Sequence, residues 1–448
     1  MENSARAQAA LRYFKKHEAW MEDRISSGIE ANRKGWLKLS FVDSDGNSVD
    51  NVHVKLEQKT HDFKFGCNLF MLDELETEEK NAKFKEMYPK LFNLATLPFY
   101  WANLEPRPGF LRFEKDSPKD YRRPAPDLCL EYCKENGIEP KLHCLVYDQW
   151  SPKWLPDDAL EIKTLLDKRI AQIAERYADQ IPSMEVINET QCSYITGKSD
   201  RKSTPFFLEP DIIEWSFDHA RKYLPTNKLI INEATGHVWG NRYKYTRSAY
   251  YLQIQRALEK GATIDSIGMQ YHQFHSREAE QEQATYLLDP VRLYEVMDTY
   301  ARLNLPMQVT EVTASAFSAL PEDEYVQAEM IRNLYRIWFS HPNMEAIVYW
   351  NMVDGYAAYA VPGDMTNGEN KYHGGLLRFD MSKKPAWEVL DQLINRDWHT
   401  SIQTVCDGTV DLKGFYGQYE LTATVGGKEV KQTIHLKKGG KNNITITI

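Results

Sequence analysis

Apolar residues recur along this chain with two periods, and the switches between them divide it into segments. Over residues 5–30, Leu11, Phe14, Met21 and Ile25 follow one another at helical steps, the stripe of a helix that buries one face. The period then drops to two. Leu37, Leu39 and Phe41 alternate with polar residues, Asp43-Ser-Asp-Gly46 supplies a turn, and Val52, Val54 and Leu56 alternate again, which predicts a β-hairpin or meander. The far end behaves alike. Tyr419, Leu421, Ala423 and Val425 alternate up to Gly426-Gly427, and further runs carry Val430, Ile434 and Leu436, then Ile444, Ile446 and Ile448. None of these strands can bury an apolar face alone. The expectation is an N-terminal helix over 1–33, with residues 34–61 and 399–448 meeting in one small antiparallel β-sandwich.

Between the two ends, apolar strand-like runs lie at 63–70, 92–101, 139–147, 183–189, 228–234, 266–272, 306–312 and 344–350. Helical patterns separate them, for example at 158–181, 241–262, 289–304 and 322–340. Strand–helix alternation implies a parallel sheet covered by helices. Eight units over residues 62–398 favour a closed (β/α)8 TIM barrel over a doubly wound sheet. No GxGxxG follows the first strand, which weakens a nucleotide-binding alternative.

Composition narrows the partners. Hydrophobic residues make up 42% and charged residues 27% of the 448, an ordinary globular balance. Aromatics reach 12%, which suits a cleft that stacks flat rings. The net charge of −9 and the lack of a basic stripe argue against nucleic acid and anionic membranes. No run approaches the roughly 18 apolar residues that span a bilayer. Met1 to Trp20 is too charged for a secretory h-region, so the expected location is cytoplasmic, or secreted or periplasmic if a signal peptide has been removed. Cys129 and Cys133 fall in an apolar helical pattern and are expected to be buried thiols; no second pair lies at zinc spacing. No cofactor or metal is expected, and the oligomeric state is open.

Barrels of this kind carry their catalytic groups at the C-terminal ends of the strands. Those ends hold His143, Tyr147 and Asp148 on the third strand, Asn188 and Glu189 on the fourth, and Asn232 and Glu233 on the fifth. Gln270 and His272 end the sixth, Thr310 and Glu311 the seventh, and Trp350 and Asn351 the eighth. Retaining cleavage of a glycosidic bond needs two carboxyl groups about 5–5.5 Å apart, and strands four and seven face each other across a barrel mouth. Glu189 and Glu311 are therefore the candidate pair. Spacing alone leaves another reading, of exposed loop carboxylates, with His143 and His272 as core histidines and Trp350 as a rim aromatic. His272 and His275 lie three apart, but no carboxylate cluster completes a metal site.

Taken together the motifs resemble glycoside hydrolase family 10, the xylanase family, within the clan of retaining (β/α)8 glycosidases. Trp101-Ala-Asn-Leu-Glu105-Pro106-Arg-Pro-Gly109 is similar to the family's segment after strand two. His143-Cys-Leu-Val-Tyr147 resembles His-Thr-Leu-Val-Trp, and Val186-Ile187-Asn188-Glu189 resembles Val-Val-Asn-Glu. Ile267-Gly-Met-Gln270-Tyr-His272, Thr310-Glu311, and Trp350 followed by Asp354 also match. The likeness covers roughly residues 62–396. It implies Glu189 as acid/base and Glu311 as nucleophile. Asn188, His143 and Gln270 would hold the sugar, His272 would orient Glu311, and Trp350 would floor a sugar ring.

The departures fall in the sugar-gripping part. The family's Glu-Asn-Glu-Met-Lys before the Trp of strand two is here Thr96-Leu97-Pro98-Phe99-Tyr100, and its Trp-His after strand three is Tyr147-Asp148. Its second cleft Trp falls near Ala358, between Tyr356 and Tyr359, and its Asp two places after the nucleophile is Thr313. Tyr100, Tyr147 and Asp148 are thus candidate binding residues for a carbohydrate or glycoside other than plain polymeric xylan. The alternatives are an endo-1,4-β-xylanase and a non-catalytic carbohydrate-binding barrel.

Overall fold

The structure, a computed structural model, describes residues 4–192, 204–240 and 245–448. Two strands come first, β1 (Lys34–Val42) and β2 (Val52–Gln58). Eight parallel strands follow: β3 (Lys64–Asn68), β4 (Leu94–Pro98), β5 (Glu139–Val146), β6 (Ser183–Asn188), β7 (Lys228–Glu233), β8 (Ser266–His272), β9 (Met307–Thr313) and β10 (Met344–Tyr349). They close into a barrel in the order β10-β3-β4-β5-β6-β7-β8-β9. Every residue of β4, β6 and β9 is buried, because helices cover the outer face and side chains fill the lumen. That is why these strands appear in the sequence as unbroken apolar runs. The helices between them include Ala159–Tyr177, Pro290–Tyr300 and Pro321–Ser340. The anticipated 241–262 helix starts later, as Ala249–Glu259, and its positions 241–244 lie outside the described residues. Cys129 and Cys133 are buried thiols on the helix Pro126–Asn136. Among the described residues no helix is long and apolar enough to cross a membrane.

The remaining strands are β11 (Ser401–Cys406), β12 (Thr409–Phe415), β13 (Gly417–Val425), β14 (Lys428–Leu436) and β15 (Asn443–Thr447). With β1 and β2 they form a β-sandwich of two sheets, β12-β1-β15 and β11-β2-β13-β14. Leu37, Leu39 and Phe41 from one layer pack with Val54, Leu56, Tyr419 and Leu421 from the other. The expected hairpin between β1 and β2 is corrected here: the two strands lie in different sheets. The Asp43–Gly46 turn does form, with Gly46 N donating to Asp43 O over 3.1 Å, but the chain then crosses between layers. The sandwich is also not purely antiparallel, since β15 runs parallel to β1. β11 carried no clear apolar signal because none of its residues is fully buried.

The N-terminal helix is three segments, Ala5–Ala10, Arg12–Lys16 and Glu18–Asn32. Its breaks at Leu11 and His17 keep Ala7, Phe14, Met21 and Ile25 all on the core. It packs on the barrel of its own chain. Gly28 approaches so closely that a Cβ there would lie 2.7 Å from the Ser340 carbonyl. Arg6 is anchored by Glu280 at 2.8 Å and Asp323 at 2.9 Å.

Candidate active site

All ten residues singled out from the sequence line one cleft of about 1020 Å³ at the C-terminal mouth of the barrel. Strand pairing explains the convergence. β6 and β7 align Asn188 with Asn232, and β8 and β9 align Gln270 with Glu311 through a register shift. Asn232 Nδ2 donates to Asn188 Oδ1 at 2.9 Å and to Glu311 Oε1 at 3.0 Å. Gln270 Nε2 donates to Glu189 Oε1 at 2.8 Å. One amide network thus ties the two carboxyl groups together across the mouth. Asn232 was visible at a strand end in the sequence but was not singled out.

Glu189 has a backbone φ of +54°, a conformation that strains a non-glycine residue. Its Oε2 accepts from the Tyr147 hydroxyl at 2.8 Å. Tyr147 therefore holds a carboxylate of the site as well as lining the cleft. Asp148 lines the cleft too, while its Oδ1 accepts the Thr204 amide at 3.0 Å.

Glu311 is 5% exposed. Burial raises its carboxyl to about 8; His143 and Lys141 pull it down, and Glu185 and Glu189 push it up. His272 Nε2 lies 3.1 Å from Glu311 Oε2, and its Nδ1 lies 2.9 Å from Thr313 Oγ1. Burial lowers the His272 imidazole to about 4, so the ring is neutral at pH 7. A Thr313 hydroxyl that donates to Nδ1 leaves the Nε2 proton for Glu311, which is how a threonine can stand where the resemblance led to an aspartate.

His143 belongs to a buried charged group that the sequence did not announce. Glu185 bridges Lys141 at 2.6 Å and His143 at 2.5 Å. Burial disfavours the imidazolium, but Glu185 overrides it and the net shift of His143 is upward. The other imidazole nitrogen lies 3.0 Å from the Tyr100 hydroxyl. Strand periodicity could have found this group, since Lys141, His143 and Glu185 occupy alternate positions on neighbouring strands.

The aromatic wall differs from the one drawn from the sequence. Leu97 and Phe99 are in the main hydrophobic core, so only Tyr100 of that replaced segment reaches the cleft. Trp150 stacks on it at 5.1 Å. Trp350 packs edge-on against Phe70 and His143, at 5.1 and 5.6 Å. Ala358 and Tyr359 line the cleft, whereas Tyr356 is buried and stacks on Phe379. Glu105 braces Trp101 Nε1 and Gly109 N at 2.8 and 2.7 Å, and Asp354 accepts Gly375 N and Lys384 Nζ. These two motif acids fasten loops.

Among the described residues, two groups bring metal-type ligand atoms together, Cys192–Glu233–His237 and His143–Glu185–Glu311. Glu233 in the first already accepts from the Ala234 and Gln191 amides, and Glu185 in the second is saturated by Lys141 and His143.

Comparison with known proteins identifies the family and matches the fold. The model of glycosyl hydrolase family 10 matches residues 73–389. Anti-sigma-I factor RsgI6 of Acetivibrio thermocellus is 24% identical over 93% of this chain and 48% of its own length. Endo-1,4-beta-xylanase B of Paenibacillus barcinonensis is 25% identical over 55% of this chain and 76% of its own. Native xylanase 10B of Thermotoga maritima shares the fold with a TM-score of 0.56 at 19% identity, over 75% of this chain and 96% of that one. The chain spans a quarter to a half of the length of the first curated relatives it matches. The chain belongs to glycosyl hydrolase family 10.

Proposed function

We propose that the protein is a retaining β-glycoside hydrolase in which Glu311 attacks the anomeric carbon and Glu189 serves as acid, then base. The observation that carries this reading is the network Glu189–Gln270–Asn188–Asn232–Glu311. It holds two carboxyl groups on opposite strands of one mouth, as double displacement needs. In the first step Glu189 protonates the leaving oxygen while Glu311 forms a glycosyl ester. In the second, Glu189 takes a proton from water, whose oxygen attacks the same carbon as the ester bond breaks and the Glu311 carboxylate leaves. Asn188, Gln270 and His143 bind the reacting sugar, and Trp350 stacks under it. The substrate is a β-linked glycoside or oligosaccharide other than plain polymeric xylan. Tyr100 supports this, since it lines the cleft where the resemblance leads to a lysine, and Trp150 stacks on it.

Proton NMR of the first-formed anomer tests the mechanism. Retention is expected; net inversion overturns it. A second reading, endo-1,4-β-xylanase, is favoured by several relatives that are endo-1,4-beta-xylanases. A panel of aryl β-glycosides with different sugars, run beside polymeric xylan, separates the two.

A further inference from the structure

Two adjacent arginines, Arg122 and Arg123, line the cleft beside Tyr100 and are only 5% and 6% exposed. Buried guanidinium groups are ordinarily matched by carboxylates. These are not. Arg122 donates from Nη2 to Asn351 Oδ1 at 3.0 Å and from Nη1 to the Tyr356 carbonyl. Arg123 donates from Nη1 to the Arg122 carbonyl at 2.7 Å. Both Nε atoms are buried without an acceptor, and among the described residues neither arginine has an acid within ion-pair distance. Burial pushes Arg123 down to about 10, against weaker opposing pulls from Tyr100 and Asp120. Its guanidinium lies over three rings, 4.3 Å from Tyr100, 4.7 Å from Trp150 and 5.2 Å from Phe70. Packing fixes the fork in place.

We propose that Arg122 and Arg123 form a subsite for an anionic group on the sugar chain, a uronosyl carboxylate or a sulfate ester. This deepens the reading above and rests on it. Tyr100 touches both Arg123 and His143, which places the subsite one aromatic ring from the reacting sugar. A planar, preorganised fork is suited to a bidentate oxyanion. The rest of the lining favours the same register. Asp148, Asp157, Glu189, Glu311 and Glu369 also line the cleft, so an anionic substituent is repelled along much of its length and attracted at the arginine pair.

Calorimetry on the Glu311→Gln protein tests this without turnover. Three ligands serve: a β-linked uronosyl disaccharide, its carboxyl-reduced counterpart, and the 6-sulfate of that counterpart. At least one charged ligand should bind about tenfold or more tighter than the neutral one, as expected for charge-assisted hydrogen bonds. Which of the two binds tighter identifies the source of the anion. Adding Arg123→Gln should collapse that preference. Arg123→Lys, which keeps the charge and the stem over Tyr100, should leave an intermediate preference and serves if the glutamine variant does not fold. Equal binding of neutral and charged ligands, or equal weakening of all three by Arg123→Gln, overturns the subsite. Selective binding of the charged ligand with no hydrolysis of any glycoside by the wild type would instead sink the hydrolase reading and leave the subsite standing.

Discussion

On the proposed mechanism Glu311 must ionise to attack, yet burial holds its carboxyl up to about 8. The conflict is a stability statement as well as a catalytic one. The unfolded chain releases this proton near the ordinary value of 4.5, while the folded chain keeps it to about 8. The folded state therefore binds the extra proton, and the wild type loses stability as pH rises between those values. Glutamine does not titrate. Glu311→Gln should abolish turnover, by more than about 10⁴-fold, while raising thermal stability at pH 7 by about 3 kcal/mol. That advantage should shrink to nothing near pH 4, and thermal unfolding across pH checks it. In kcat/KM the same sign applies: activity should fall on the acid side as Glu311 takes up its proton. Glu189→Ala should behave differently. Substrates with good leaving groups need little protonation, so their first step is largely spared while the second slows. Azide should restore rate and yield a glycosyl azide of retained configuration. Uniform loss on all substrates with no azide rescue would remove Glu189 from the acid/base role. The candidate pair was legible in the sequence because both acids end apolar strands. The partnership of Tyr147 with Glu189 was not, since a side chain that reaches across strands leaves no trace in spacing.

Among the elements, the barrel strands were the most legible because each is buried on both faces and leaves a run of apolar residues that nothing else in the chain imitates. The sandwich was less so. Alternation in β1 and β2 revealed two half-buried strands, but a period of two says nothing about which neighbour supplies the hydrogen bonds, and a turn between them looks alike in a hairpin and in a crossover. The long N-terminal helical stripe likewise hid two breaks that tertiary packing imposes. That helix matters to the barrel because Arg6 binds two buried acids, Glu280 and Asp323. Arg6→Ala should cost about 3–5 kcal/mol, since it leaves buried carboxylates short of a partner. Denaturant unfolding should show the loss, and limited proteolysis should cut within residues 5–32 earlier than in the wild type. Unchanged protection there would mean the apolar stripe alone holds the helix.

For the whole molecule, the open matter is how long a sugar chain the cleft accepts. Six ordered motifs made the candidate site readable, and their departures pointed to a replaced segment, but not to what lines the cleft there. Leu97 and Phe99 turned out to be core residues. The wall is built instead by Tyr100 and Arg123, from the connection after β4, and Trp150, from the turn after β5, which no single motif connects. A polymer binds through repeated hydrogen bonds to its hydroxyls, and sites that match such bonds discriminate by orders of magnitude. A wall of stacked rings supplies few of them. Activity on polymeric xylan should therefore be very low beside the best small glycoside, and Glu311→Gln should show little gain in affinity from each added xylose. Calorimetry with xylo-oligosaccharides of increasing length gives the decisive reading. Affinity that climbs with every added unit would reveal a groove of consecutive subsites, and the protein would then be an ordinary endo-xylanase whose aromatic wall simply lies outside the path of the chain.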